Sequence, residues 1–291
     1  MISTYTLSQA KLQPQNNTSI SEIKELAKKA GWAWVDCTDP NEEETQMIAE
    51  LVENKDVESI IKNKKILPTY EKINGFVMIQ LIQIDFKERL ETYPLYIFVN
   101  GQIMVTVRTE KMATPIMSTL DTLRDCIKKV TCETSSSFVI SRLFHEIVNE
   151  NLNIIVTLRD RISEMEQASL KKSADKNIDE QVFALKREIT KFERILWNQR
   201  EIMLAIQEGM IPSIQTAEID KNALNHTISN LSRELSLISA HSNALDNVLT
   251  VRGLGMIHRV ETNLIYLTFV LIILTVLLIL LQVDVVKLLF G

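Results

Sequence analysis

Hydrophobic and polar positions follow three successive patterns along the chain. Up to about residue 130 short β-rich runs alternate with helical patches. Trp32–Asp36 predicts a first strand, and Lys65–Glu71, Phe76–Phe86, Pro94–Val99 and Gln102–Arg108 predict further strands. The dipeptide Asn100-Gly101 separates the last two and predicts a hairpin, because a type I′ turn needs positive φ at both central positions. "TDPNEEETQ" predicts a helix start, with Asp39 as N-cap, Pro40 at N1 and acids in the first turn. Glu42–Glu44 are read as that helix start and not as a metal cluster, because consecutive helix residues do not face one point. A helix over Thr114–Val130 closes an α/β region, and residues 1–20 are expected to be a loose arm.

Past Ser135 the period becomes helical, with no proline until Pro212. Leu143, Ile147, Ile154, Leu158, Ile162 and Met165 form one apolar stripe. After the loop "KKSADKNID" a second stripe runs through Val182, Leu185, Ile189, Phe192, Leu196, Met203 and Ile206, a coiled-coil-like seam broken by Gln199. A loop over Gly209–Asp220 precedes a third stripe of Leu224, Ile228, Leu231, Leu235, Ile238, Leu245 and Leu249. No proline follows it before the end of the apolar segment, so one helix is expected from about Asp220 to Gln282, on the order of 90 Å at the α-helical rise.

The third pattern carries no charge from Leu264 to Leu281. That length is near the minimum for crossing a bilayer core roughly 30 Å thick. A helix apolar on every face is read as a transmembrane span. The expected parts are a flexible arm (1–20), a cytoplasmic α/β domain (21–134), a helical hairpin (135–219), a stalk helix (220–262), a membrane helix (263–283) and a short tail (284–291). Arg252, His258 and Arg259 precede the span and Lys287 follows it, which places the N-terminal side in the cytoplasm and the tail outside.

Composition narrows the functions available. The 291 residues are 46% hydrophobic with a formal net charge of −5, and no basic cluster with interleaved aromatics suggests nucleic acid. The polar start "MISTYTLSQAKLQPQNNTS" has no apolar core of a secretory signal. Cys37, Cys126 and Cys132 form no CxxC pair and fit a reducing compartment. No HExxH, P-loop or GxSxG occurs, so no enzyme is expected. His145, His226, His241 and His258 are isolated, and His226 and His241 are read as surface or interface residues.

The order of parts resembles the CorA family of divalent-cation channels. "WAWVDCTDPNEEETQMIAEL" is similar to that family's opening strand and helix, "LPTYEKINGFVMIQLIQID" and "YPLYIFVNGQIMVTVRTE" to its central strands, and "ALDNVL" to its stalk. The likeness covers about residues 30 to 282. It implies a funnel-like homo-oligomer, most simply a pentamer, in which this membrane helix surrounds an axial pore. The sequence departs from the family at its signature. Gly-Met-Asn is absent, Leu280–Asp284 reads Leu-Leu-Gln-Val-Asp, and the seven residues after Asp284 are too few for a second span. Gly209-Met210 and Gly255-Met256 are each followed by Ile.

Within the span, Glu261, Thr268, Thr275 and Gln282 recur every seven residues. That spacing holds them on one face in a left-handed bundle, where copies would line a path with carboxylate, hydroxyl and amide rings suited to a hydrated cation. The competing reading is a dry polar seam, with each threonine bonded to its own helix. Gly253 and Gly255 suggest a hinge at the membrane entrance or a close helix contact. Met256, Val260 and Leu264 suggest an apolar constriction or an inter-subunit contact. Asp246 and Asp220 are candidate ligands of a regulatory divalent cation, a role implied by the resemblance. The expected function is a CorA-like channel or transporter for divalent cations, magnesium or a similar ion, with the cation as substrate and possible regulator. The alternative is a non-conducting, tail-anchored oligomeric scaffold or metal sensor.

Overall fold

The structure is a computed structural model. It describes the backbone of all residues except 9–10, 17–18, 63–66, 130–134, 171–177, 212, 215–217 and 291; side chains of 7–8, 11–14, 16, 128–129, 170, 218–220 and 280–290 also lie outside the description. The chain forms two compact units, Met1–Asp160 with Leu185–Ser242, and Arg161–Ala184 with Asn243–Gly291.

The first unit is built on a seven-stranded sheet. Its strands are β1 (Ile2–Ser8), β2 (Lys11–Asn16), β3 (Ala33–Thr38), β4 (Thr69–Ile73), β5 (Phe76–Phe86), β6 (Leu90–Val99) and β7 (Ile103–Arg108), in the order β2-β1-β3-β7-β6-β5-β4. Only β3 and β7 run parallel; the other neighbours are antiparallel. The expected loose arm is therefore wrong for β1 and β2. Backbone pairing to β3 absorbs a segment whose side chains carry little apolar signal.

Helices α1 (Ile20–Ala30), α2 (Glu42–Val52) and α3 (Val57–Lys62) bury Ile23, Ala27, Ile48, Leu51, Val52 and Val57 against one sheet face, where Val35, Met78, Phe98 and Val105 meet them. Helix α2 does not start where Asp39 and Pro40 suggest. Asn41 is its N-cap, accepting from Glu44 N at 2.8 Å, and Glu44 accepts from Asn41 N at 3.0 Å, a complete capping box. Asp39 instead adopts φ 44 and accepts from Glu110 N at 2.9 Å. The hairpin at Asn100-Gly101 exists, but only Gly101 has positive φ (92°). Asn100 Oδ1 accepts from Ile103 N at 2.8 Å, so a side-chain turn replaces the type I′ geometry.

The other sheet face carries Trp34, Ile79, Leu81, Leu95, Ile97 and Thr106, alternating with the first set and fully buried. A polar chain threads through it. Trp34 Nε1 donates to Thr106 Oγ1 at 2.9 Å, Thr106 Oγ1 donates to Asp36 Oδ1 at 2.7 Å, and Arg108 Nη2 donates to Asp36 Oδ2 at 2.9 Å. Burial of the Cys37 thiol nearby pushes its pKa up to about 12. Cys37 is a buried thiol, Cys126 is partly buried, and Cys132 lies outside the described residues.

Three long helices follow α4 (Ala113–Lys129): α5 (Ser136–Leu170), α6 (Ile178–Gln207) and α7 (Glu218–Phe290). The first two apolar stripes are buried throughout; in the third, Ile228 and Leu249 are only partly covered. Gln199, the break in the second stripe, is fully buried because its Nε2 donates to the Ile82 carbonyl of β5 at 2.8 Å. Gln83 of β5 also donates to Glu150 of α5. Helices α5 and α6 are thus tied to β5 by amide hydrogen bonds. In the second unit Ile162, Met165, Val182, Leu245 and Val248 are buried, and Arg252 Nε stands 2.9 Å from Asp179 Oδ1.

Candidate pore-lining face

Helix α7 is unbroken through Gly253, Gly255 and the apolar segment, so the seven-residue recurrence becomes a geometric statement. Successive members drift by about 20° per heptad, and Glu261, Thr268 and Thr275 fall within about 40° of one another. Glu261 to Thr275 spans about 21 Å along the axis. The side chain of Gln282 lies outside the described residues, although its backbone continues the helix. The segment is long and apolar enough to cross a membrane, and among the described residues its apolar stretch is not buried within the chain.

The hydroxyls are held in one orientation. Thr268 Oγ1 donates to Leu264 O at 2.8 Å, and Thr275 Oγ1 lies 2.7 Å from Leu271 O and 2.9 Å from Ile272 O. This is the internal bonding of the dry-seam reading, and it has a second consequence. A hydroxyl has one proton and two lone pairs. With the proton committed to the helix, each threonine presents acceptor lone pairs outward, the polarity that a cation's hydration shell requires. Glu261 Oε2 lies 3.8 Å from His258 Nδ1 one turn earlier.

The other expected residues behave differently. A methyl group added at Gly253 or Gly255 would meet nothing within 4 Å among the described residues, and the helix passes both without positive φ. Met256, Val260 and Leu264 are exposed. Asp246 is exposed, its backbone carbonyl accepting from Thr250 Oγ1 at 2.9 Å, and the side chain of Asp220 lies outside the described residues. Among the described residues no group of three or more His, Cys, Asp or Glu side chains is placed to hold a metal.

Sequence reading missed two polar contacts between α5 and α7. Glu234, fully buried, meets Asn151; burial raises its carboxyl pKa to about 8, with the Asn151 hydrogen bond and the Arg233 charge opposing more weakly. His145 and His226, isolated in sequence, face each other with ring centroids 5.7 Å apart. Glu234 sits one position before Leu235 of the third stripe, and that adjacency was the available signal.

Comparison with known proteins follows the same architecture. A family model described as CorA-like Mg2+ transporter protein matches residues 29–274. The complete structure of the CorA magnesium transporter from Methanocaldococcus jannaschii is similar at 16% identity and TM-score 0.72, over 90% of this chain and 79% of that one. The full-length CmaX protein is similar at 14% identity and TM-score 0.71, again over 90% and 79%. The ZntB cytoplasmic domain from Vibrio parahaemolyticus RIMD 2210633 is similar at 11% identity and TM-score 0.61, over 88% of this chain and 98% of that one. At these identities the structural likeness is one of fold. A search of curated protein sequences gave no match.

Proposed function

From the premise that this chain belongs to the CorA-like Mg2+ transporter family, a family of divalent-cation transporters, we propose that it carries hydrated divalent cations through an axial pore. Copies of the chain, five by family resemblance, assemble with α7 innermost. Residues before the span lie in the cytoplasm. The observation that carries this reading is the register of Glu261, Thr268 and Thr275 on one face of the uninterrupted α7, whose apolar segment is uncovered among the described residues.

The roles follow from charge and geometry. A ring of Glu261 carboxylates raises the local cation concentration at the cytoplasmic end. The Thr268 and Thr275 rings offer outward lone pairs that replace second-shell water while the ion keeps its first shell, as a strongly hydrated ion such as Mg2+ favours. Gln282 supplies an amide ring on the far side. Gly253 and Gly255, with no steric neighbour among the described residues, allow α7 to bend or let a second copy approach. Met256, Val260 and Leu264 form the apolar constriction. A regulatory cation at Asp246 takes its remaining oxygens from another copy, with Asp220 as a further candidate ligand.

A second reading is a non-conducting anchored scaffold or metal sensor. The internally bonded threonine hydroxyls favour it, because such groups need no water, and so does the absent Gly-Met-Asn triplet. Mg2+ uptake into liposomes containing purified protein, against empty liposomes, separates the two. Flux above the empty-vesicle rate supports the pore; equal rates with intact oligomers support the scaffold.

A further inference from the structure

We propose that His145 of α5 and His226 of α7 form a binding site for a divalent transition-metal ion of the zinc class, separate from the cation path. Their ring planes are inclined at 50° and their centroids are 5.7 Å apart. Zinc–imidazole bonds of roughly 2.0–2.1 Å put each centroid roughly 3.2 Å from the ion, and two rings at a tetrahedral angle then stand roughly 5.2 Å apart. The observed centroid separation lies within about 0.5 Å of that value. Both rings belong to the same compact unit, so the approach is a feature of one folded body.

The surroundings suit an imidazole site. Asn149 Nδ2 lies 3.0 Å from His145 Nε2, and Asn230 Nδ2 lies 3.4 Å from His226 Nδ1, each one turn along the same helix. Turning either amide places its oxygen to accept a ring N–H, the outer contact that fixes the tautomer of a metal-bound histidine. Burial, then the Arg142 charge and His226, lower the pKa of His145, with Glu146 opposing, so the neutral ring that binds metal predominates near pH 7. The Arg142 guanidinium is itself engaged by Glu146 at 2.8 Å. The ring nitrogens suit zinc, copper or nickel; Mg2+ prefers oxygen. Water fills the remaining coordination positions. A bound ion would tie the N-terminal part of α7 to α5, whether or not the span conducts.

The test is calorimetric titration of the full chain in detergent with Zn2+ at about pH 7.5, in excess Mg2+ to occupy oxygen sites. One Zn2+ per chain is expected at this site, with affinity falling at least roughly tenfold in His145→Gln and in His226→Gln. Acidification to about pH 5.5 should abolish it. His226 is exposed, so His226→Gln decides the matter even if His145→Gln fails to fold. Absence of Zn2+ binding, undiminished affinity in His226→Gln, or displacement by Mg2+ overturns the proposal.

Discussion

Asn151 Nδ2 of α5 donates to Glu234 Oε2 of α7 at 3.3 Å, with both side chains sealed from solvent. Among the described residues Glu234 Oε1 has no hydrogen-bond partner. One amide cannot compensate a buried carboxylate, so the group holds its proton to about pH 8. The sign follows from linkage. Between the ordinary carboxylate pKa and about 8 the folded state binds more protons than the unfolded state, so stability falls as pH rises through that window. Urea unfolding of the wild type should give a midpoint that declines from pH 5 to pH 8. Glu234→Gln, which cannot ionise, should flatten that decline. An equal decline in both proteins would show that another group is responsible.

Asp36 and Arg108 form a salt bridge with side-chain exposures of only 5% and 9%. Removing one partner leaves the other charge buried and alone. Arg108→Met should cost about 3–5 kcal/mol, measured by chemical denaturation. The double change Asp36→Leu with Arg108→Met should recover much of that loss, because no unpaired charge then remains.

Gln199 joins α6 to the backbone of β5 in a position where the heptad pattern asks for leucine. Leucine would fill the volume but orphan the Ile82 carbonyl. Gln199→Leu should destabilise by about 1–3 kcal/mol despite its better fit to the stripe. A more stable leucine variant would mean that the carbonyl finds another donor.

Thr268→Leu and Thr275→Leu should slow Mg2+ flux with little loss of oligomer, since alkyl groups raise the dewetting barrier of a narrow pore. Cysteines at positions 261, 268 and 275 should react quickly with a water-soluble thiol reagent, while cysteine in place of Phe269 or Leu277 should react slowly. Uniform reactivity around α7 would remove the assigned face; uniformly slow labelling with unchanged flux would indicate the dry seam.

Local patterns determined much of this protein. The apolar stripes, the strand runs and the charge-free segment follow from periods of 3.6 and 2 and from an absence of breakers, properties carried by neighbours in the chain. They specified the long helices, strands β5 and β7, the second half of β6 and the continuous α7, overlapped β4 only at Thr69–Glu71, and placed Glu261, Thr268 and Thr275 on one face. Tertiary structure decided what depends on distant partners. Strands β1 and β2 form because the edge of β3 offers backbone hydrogen bonds, which no side-chain pattern announces. Gln199 looked like a flaw until the Ile82 carbonyl arrived from 117 residues away. Glu234 became a high-pKa acid, and His145 met His226, only when α5 packed on α7. Hydrophobic period records how much of a side chain is buried; the groups waiting at the buried end are set by which elements the fold brings together.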